Sequence, residues 1–425
     1  WSVLVVLLPR IIPVPGTVRP DLWLAGLISL VGFTTLPLVP LRSLADADQR
    51  GYQVNLLLIG QFLIVTATAL VLCGIWPQWG ISGQAAAAAV GVLLLNLALF
   101  LATRPKLPGT PREIALTRPD ATIWRGIWGL SWPTLILQFS GRINLQTDSI
   151  VLSRVIDANA VAVLYFSSRL AQMAQQQLAN VGTAVWAGLA DLHHRGEHET
   201  FRRRLLELFQ LVTILGIACI APIVAYNHQF VSLWVGQELD GGSLVALAAG
   251  ANALLVPLVS LAGWCISGTG RVRMLAGPSV ISATINLTAS VLLARYVGVA
   301  GPLLGTTLTM LCFGIWFNAW LLRKVFGVPF VGLARSVVIP LAWGLPYGAA
   351  CWWLASSQAQ LGWVGLGAQM GAAAAGFLLL AMFVLLTPAE RATWKARLGA
   401  FAERMRGLLP RKPRDVASSP SQVGK

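Results

Sequence analysis

The sequence predicts an all-α polytopic membrane protein, and three observations carry that expectation. Hydrophobic residues make up 56% of the 425-residue chain and charged residues 11%, a mix outside the range of soluble domains. Residues 52 to 103 and 336 to 389 contain no Asp, Glu, Lys or Arg, and each run is about twice the ~20 residues that one bilayer-spanning helix needs. The turn residues Trp76 to Gly83 and Ser356 to Gly362 divide each run into a pair of spans. Finally, basic residues gather in every second connection: Arg42 and Arg50, Arg104 to Arg125, Arg195 to Arg204, Arg271 and Arg273, Arg323 to Arg335, and the tail from Arg391 onward. That alternation is the positive-inside pattern of cytoplasmic and outer loops. Arg10, Arg19, Arg154 and Arg295 fall at outer ends as exceptions.

Taken in order, residues 1 to 18 read as the end of one span entering a proline-rich outer turn. Spans follow at about 20 to 41, 53 to 75 and 82 to 103. The connector from Arg104 to Asp120, with Pro105, Pro108, Pro111 and Pro119, reads as a cytoplasmic linker between two bundles. Beyond it lie spans at about 126 to 152, 159 to 189, 205 to 227, 243 to 267, 275 to 296, 299 to 322, 336 to 355 and 363 to 387. The net charge of +15 by itself would suggest nucleic acid, but its concentration in alternate loops argues for membrane lipids as the anionic partner instead.

An internal repeat supports two bundles. Trp79-Gly80-Ile81-Ser82-Gly83 opens one span, and Val297-Gly298-Val299-Ala300-Gly301 opens another 218 positions later. Both copies keep the same orientation, so the halves are expected to be related in parallel by an axis along the membrane normal. The same offset places the start of the first bundle ahead of Trp1, so its N-terminal helices are expected to be missing from this sequence.

Two consecutive spans differ from the rest. Wound at about 100° per residue, Ser131, Gln138, Arg142, Gln146 and Ser149 fall on one stripe of the first, and Tyr165, Arg169, Gln172, Gln176, Asn180 and Thr183 on one stripe of the second. An arginine at the centre of a membrane helix costs roughly 2.5 to 3.5 kcal/mol, so it should face protein or a water-filled cavity. Two such stripes predict a wet, positively charged lumen.

The order NLQTDSIVLSRVIDANAVAVLYFSSRLAQ, then FRRRLLELFQ, LWVG and VGVAG resembles the polysaccharide flippases of the multidrug/oligosaccharidyl-lipid/polysaccharide exporter superfamily. The resemblance spans nearly the whole chain and rests on spacings and helix-end glycines. It implies two helical lobes around a central cavity with an additional C-terminal helix pair. Residues 1–103 would be a partial N-terminal lobe, 104–121 the linker, 122–322 the C-terminal lobe, 323–335 a cytoplasmic connection, 336–387 the extra pair, and 388–425 a basic cytoplasmic tail. In the branch that moves the lipid-linked murein precursor, a cavity arginine follows a tyrosine, as Arg169 follows Tyr165 here. There an acid precedes the arginine, whereas Ser168 stands in this chain, a departure that tilts the expected cargo towards O-antigen or exopolysaccharide.

The implied function is transport, not catalysis: an undecaprenyl-diphosphate-linked oligosaccharide would cross the bacterial inner membrane by alternating access, without a cofactor. Arg169 and Arg142 would meet the diphosphate, since guanidinium groups present planar paired donors to phosphate oxygens. Tyr165, Gln138, Gln146, Gln172, Gln176 and Asn180 would line the sugar path. Arg169 lies about 15 Å from the outer end of its helix, too deep for easy snorkelling, while Arg142 is nearer the surface. A structural arginine between helices and interhelical amide contacts are the plainer alternatives. Asp148, about 120° off the Arg142 stripe, reads as a gate partner, a coupling-ion ligand or a solvated helix-end acid.

The other features are weaker. His193, His194 and His198 form a cluster without metal-ligand spacing and read as a solvated loop, and the five cysteines, all inside apolar segments, show neither metal spacing nor a disulfide framework. Gly268 and Gly270 lack the preceding strand that a nucleotide loop requires. The tail from Pro388 is suited either to anionic lipid or to solvent. Other polysaccharide-assembly membrane proteins are further candidate partners. A cation-coupled drug exporter of the same fold would want acids in its cavity. A membrane glycan polymerase or glycosyltransferase would want a large outer loop, for which only His228 to Gly242 offers itself.

Overall fold

A computed structural model describes residues 19–34, 51–75, 80–103, 120–358 and 361–386, together with Pro77 and Arg391. The predicted first turn, the linker at 104–119 and all of the basic tail except Arg391 lie outside the described residues. Every regular element described is helical. The chain forms α1 (Arg19–Ser29, with a further turn at Val31–Thr34), α2 (Gly51–Ile75), α3 (Gly80–Thr103), α4 (Ala121–Val155), α5 (Ala158–His194) and α6 (His198–Trp234). It continues through α7 (Gly242–Gly268), α8 (Arg273–Val297), α9 (Gly301–Thr309), α10 (Ile315–Phe326), α11 (Phe330–Ser357) and α12 (Trp363–Leu380). Among the described residues seven helical stretches are long and apolar enough to cross a membrane: α2, α3, α6, α7, the α8-to-α10 run, α11 and α12 with its continuation. The polytopic all-α expectation is therefore met. Although 35 and 37 residues long, α4 and α5 are not among the seven, because their polar stripes lower their mean hydropathy.

The chain divides into two compact units, Trp1–Ala162 with Val272–Gly305, and Val163–Arg271 with Thr306–Lys425. In the first, α2 and α3 form an antiparallel hairpin around buried Val54 and Leu99. The apolar residues of α2 that face away from α3 remain open, with Leu56, Phe62, Leu63 and Leu70 exposed, as befits a lipid-facing helix. Asp21 of α1 is buried, and its two carboxylate oxygens accept hydrogen bonds from the backbone N–H groups of Ile81 and Ser82, each at 2.9 Å. A carboxylate there satisfies orphan donors of the first turn of α3 and meets the positive end of its dipole. α4 pairs with α8, and the guanidinium of Arg273 donates from Nε and Nη2 to the carbonyl of Gly129 at 3.3 and 3.2 Å.

The second glycine motif of the repeat makes a different turn. Gly298 adopts φ 74°, and a Cβ on Gly301 would lie 2.2 Å from the backbone nitrogen of Ala294. Only glycine permits both the left-handed turn and this approach of α9 to α8. A π turn at Met310–Gly314 joins α9 to α10, and another at Ala381–Leu385 extends α12.

In the second unit α6 is the central packing element. Ile214, Ile217 and Ala218 pack with Phe377 and Ala381 of the C-terminal pair, and Tyr226 packs with Ala355 and Leu366. The Tyr347 hydroxyl donates to the Ala373 carbonyl at 2.6 Å, linking α11 to α12. Near the start of α6, Arg202 Nε donates to the Phe326 carbonyl at 2.7 Å, where α10 ends in left-handed Gly327. A cation thus meets the negative end of that helix.

Replacing Asp21 by Ala is expected to cost about 2 to 3 kcal/mol, the scale of losing hydrogen bonds to a charged acceptor while leaving buried donors unmet. Asp21→Asn, which keeps one acceptor oxygen, should cost less. Reversible unfolding in detergent measures both, and an unchanged stability for the alanine variant would refute the capping role.

Candidate functional site

Within the first unit, α4 presents Ser131, Gln138, Arg142, Gln146 and Ser149 on its exposed face, while Ser140, Val151 and Leu152 are buried elsewhere on the helix. The predicted stripe is thus open along its length. Among the described residues Arg142 makes no salt bridge. Asp148 behaves differently from a solvated helix-end acid. It is half-buried, and its Oδ1 is enclosed without a hydrogen-bond donor, as is Oδ1 of Asn144 one turn earlier. Two acceptor oxygens four residues apart on one helix face offer ligands suited to a proton or a small cation, not to an anion.

Within the second unit, α5 buries Leu164, Ser167, Ser168, Ala171, Ala174 and Leu178 and exposes Tyr165, Gln172, Gln176 and Asn180, with Arg169 half-exposed beside them. The buried side of α5 combines Leu with Ser and Ala, and the long polar side chains lie on the open one. The Arg169 guanidinium lies over the Tyr165 ring, 5.4 Å from its centroid. This cation–π contact orients the charge without neutralising it. Among the described residues Arg169 has no carboxylate partner, so the paired structural arginine finds no support.

The amides form a short network along α5. Gln172 Nε2 donates to Ser168 Oγ at 2.8 Å, and that hydroxyl donates in turn to the Leu164 carbonyl at 2.6 Å. Gln176 Nε2 donates to Asn180 Oδ1 at 3.3 Å. Ser168, which stands where the resemblance would place an acid, therefore positions an amide of the stripe. Its neighbour Ser167 accepts from the Gly241 N–H at 2.7 Å and donates to the Leu239 carbonyl at 3.3 Å. These bonds fasten the Gly236–Gly241 loop to the helix half a turn from Arg169. The His228 ring and Asp240 close the same loop at 2.6 Å. Sequence periodicity carried no signal for Ser167, because a single serine on an apolar face has no pattern.

The named residues of each stripe share one helix face, except Thr183, whose side chain lies outside the described residues. It leaves Asp148 off the α4 stripe, as the helical phase requires. Arg142 belongs to the first unit and Arg169 to the second.

The histidine cluster is not simply a solvated loop. The His193 ring lies 5.0 Å from that of Phe326, 5.6 Å from Phe201 and 5.1 Å from His198. Among the described residues no group of three or more His, Cys, Asp or Glu is arranged to hold a metal ion. His193 lies beyond the predicted span, and burial, followed by the charges of His198, Arg271 and His194, lowers its pKa below the ordinary histidine value.

No protein-family model matches the chain, and no curated protein sequence does. Among solved structures it is similar to one described as "Lipid II flippase MurJ, inward closed conformation", with a TM-score of 0.58 and 12% sequence identity. The alignment covers 87% of this chain and 74% of that one. The likeness establishes a shared all-helical fold.

The lowered pKa of His193 gives a pH dependence whose sign is fixed. The unfolded chain takes up the proton first, so the stabilising effect is complete above about pH 6.5 and declines as pH falls through the folded-state value. The thermal midpoint is expected to fall between pH 7.5 and 5.5, and His193→Phe to flatten that slope. An unaltered slope in the variant would assign the effect to other groups.

Proposed function

We propose that the chain is a flippase that carries an undecaprenyl-diphosphate-linked oligosaccharide across the bacterial inner membrane by alternating access. The observation that carries this reading is the pair of open polar faces on α4 and α5, each bearing an arginine with no acid beside it among the described residues. Flipping makes no bond. It requires donors that replace water around a diphosphate and a glycan, and a scaffold that opens to one side at a time. Uncompensated guanidinium groups suit the diphosphate, and the amides of Gln138, Gln146, Gln172, Gln176 and Asn180 suit sugar hydroxyls. The likeness to a flippase fold supports the same class of cargo, and the polysaccharide assignment rests on the sequence resemblance, with Ser168 in place of an acid. The lobe boundaries given above and the cytoplasmic placement of the basic loops and tail belong to the same proposal.

Energy for export follows from charge. A diphosphate with about two negative charges moving outward gains on the order of 2.3 kcal/mol per charge per 100 mV of inside-negative potential, unless protein charges move with it. The enclosed, donor-free oxygens of Asp148 and Asn144 supply a place for a cation or proton to adjust that balance, so Asp148 is assigned a coupling or gating role.

Arg169→Ala is expected to abolish surface polysaccharide in cells that depend on this chain, while the protein still inserts at normal abundance. Arg142→Ala should cause a smaller loss. Normal polysaccharide with Arg169→Ala would remove that residue from the cargo site. Asp148→Asn is expected to make flipping into proteoliposomes insensitive to the cation or proton gradient on which the unsubstituted protein depends. Identical gradient dependence in both would exclude the coupling role.

A further inference from the structure

Three tryptophans stand at helical spacing on the exposed face of α4. Trp124, Trp128 and Trp132 are 55%, 58% and 52% exposed. Their rings are stacked, with centroids 6.4 and 6.0 Å apart and planes inclined by 24° and 15°. A hollow of about 460 Å³ lies against this ladder, lined by Trp128, Ser131, Trp132, Thr134, Leu135 and Gln138. Two indole rings, two hydroxyl-bearing side chains and an amide therefore share one wall.

From this arrangement we infer that the Trp128–Trp132 ladder is a sugar-stacking subsite, which receives a pyranose ring of the glycan on the same helix face as Arg142. The inference rests on the flippase reading and adds to it a residue class that the polar stripes did not include.

The chemistry of the wall selects this ligand. A pyranose is amphipathic: its axial C–H groups make a flat apolar face and its hydroxyls a polar rim. Indoles more than half exposed, with centroids 6.0 and 6.4 Å apart, leave part of each electron-rich face open to the former, and Ser131 and Gln138 offer donors and acceptors to the latter. Small-ligand sites commonly combine an apolar wall with a few polar groups in this way. An isoprenoid chain would use the indoles but would leave Ser131 and Gln138 without a role. Tryptophans that merely anchor a helix at the membrane interface would likewise gain nothing from sharing a hollow with them.

Position along the helix agrees. Trp128 and Gln146 are 18 residues apart, five full turns at about 3.6 residues per turn, so both lie on one face. Trp132 lies ten residues before Arg142, about 15 Å along the axis, a spacing that lets a headgroup with its diphosphate at Arg142 reach the ladder with its sugars. Because Trp124 and Trp128 lie nearest the basic linker, the ladder is the first part of the stripe that a glycan entering from the linker side would meet.

The test uses the full chain in nanodiscs and two probes that differ only in sugar: geranyl diphosphate carrying N,N′-diacetylchitobiose, and geranyl diphosphate alone. Trp128→Ala with Trp132→Ala is expected to weaken binding of the sugar-bearing probe about tenfold or more and to leave the bare probe within about twofold. Phe at both positions keeps an aromatic face and should retain most of the affinity, which also controls for folding. Leu at both should not. Equal weakening of both probes, unchanged binding, or a Leu variant as good as the unsubstituted chain would each overturn the subsite, the last by assigning the ladder to lipid. Should the unsubstituted chain bind both probes equally while Arg169→Ala loses both, the stacking inference fails and the flippase reading stands. Binding of neither probe would sink the two together.

Discussion

The cost of removing a guanidinium or an amide from water governs how this chain is built. An arginine cannot sit in hydrocarbon without a penalty of roughly 2.5 to 3.5 kcal/mol, and a polar helix face needs either polar partners or water. The helices divide accordingly. α2, α3, α7, α11 and α12 are apolar enough to meet lipid or each other. α4 and α5 are longer than a bilayer requires and carry polar side chains in line. On α5 the apolar side is reduced to small and branched residues that pack inward, and every amide of the stripe remains open. The fold reads as a set of lipid-compatible helices that hold two water-compatible faces in place.

Holding those faces depends on a few polar contacts at helix ends. Asp21 fastens α1 to the first turn of α3, Arg273 fastens the base of α8 to α4, Arg202 caps the end of α10, and Ser167 joins α5 to the loop after α6. Asp21 and Arg202 place a charge on backbone groups that a helix terminus cannot satisfy internally, and Arg273 reaches the Gly129 carbonyl, which has no helical donor because Pro133 stands four residues on. In a medium where packing between helices gains little from hydrophobicity, such contacts set which helix ends move together. The loop at Gly236–Gly241 illustrates this, since it is tied both to α5 through Ser167 and to α6 through His228.

Much of the helical plan was legible because apolar runs and basic loops are regional properties of composition. Where spans were expected at 126 to 152 and 159 to 189 there are helices, Ala121–Val155 and Ala158–His194, but neither is among the stretches apolar enough to cross a membrane. Phase was legible too: both polar stripes lie on the faces that 100° winding assigns them. What escaped depends on tertiary neighbours. Asp21 looks like an isolated acid at the start of an apolar span until Ile81 and Ser82 are brought to it. His193 looks like a loop residue until Phe201 and Phe326 enclose it. The α4 tryptophans carried a legible spacing that drew no attention, because an apolar series at helical period usually means packing rather than an open wall.

The π turn at Met310–Gly314 has a consequence for how the chain tolerates length changes. A π turn holds one more residue than the α turn it replaces, so Ile315–Phe326 is rotated by about a third of a revolution from where an unbroken helix would leave it. Deleting one residue there would restore regular winding and turn Leu321, Leu322 and Phe326, now enclosed, towards the lipid side. The extra residue thus acts as a phase adjuster. It lets the two ends of one continuous rod satisfy different neighbours, and it makes this five-residue segment the place where a single codon gained or lost would be felt a full helix away.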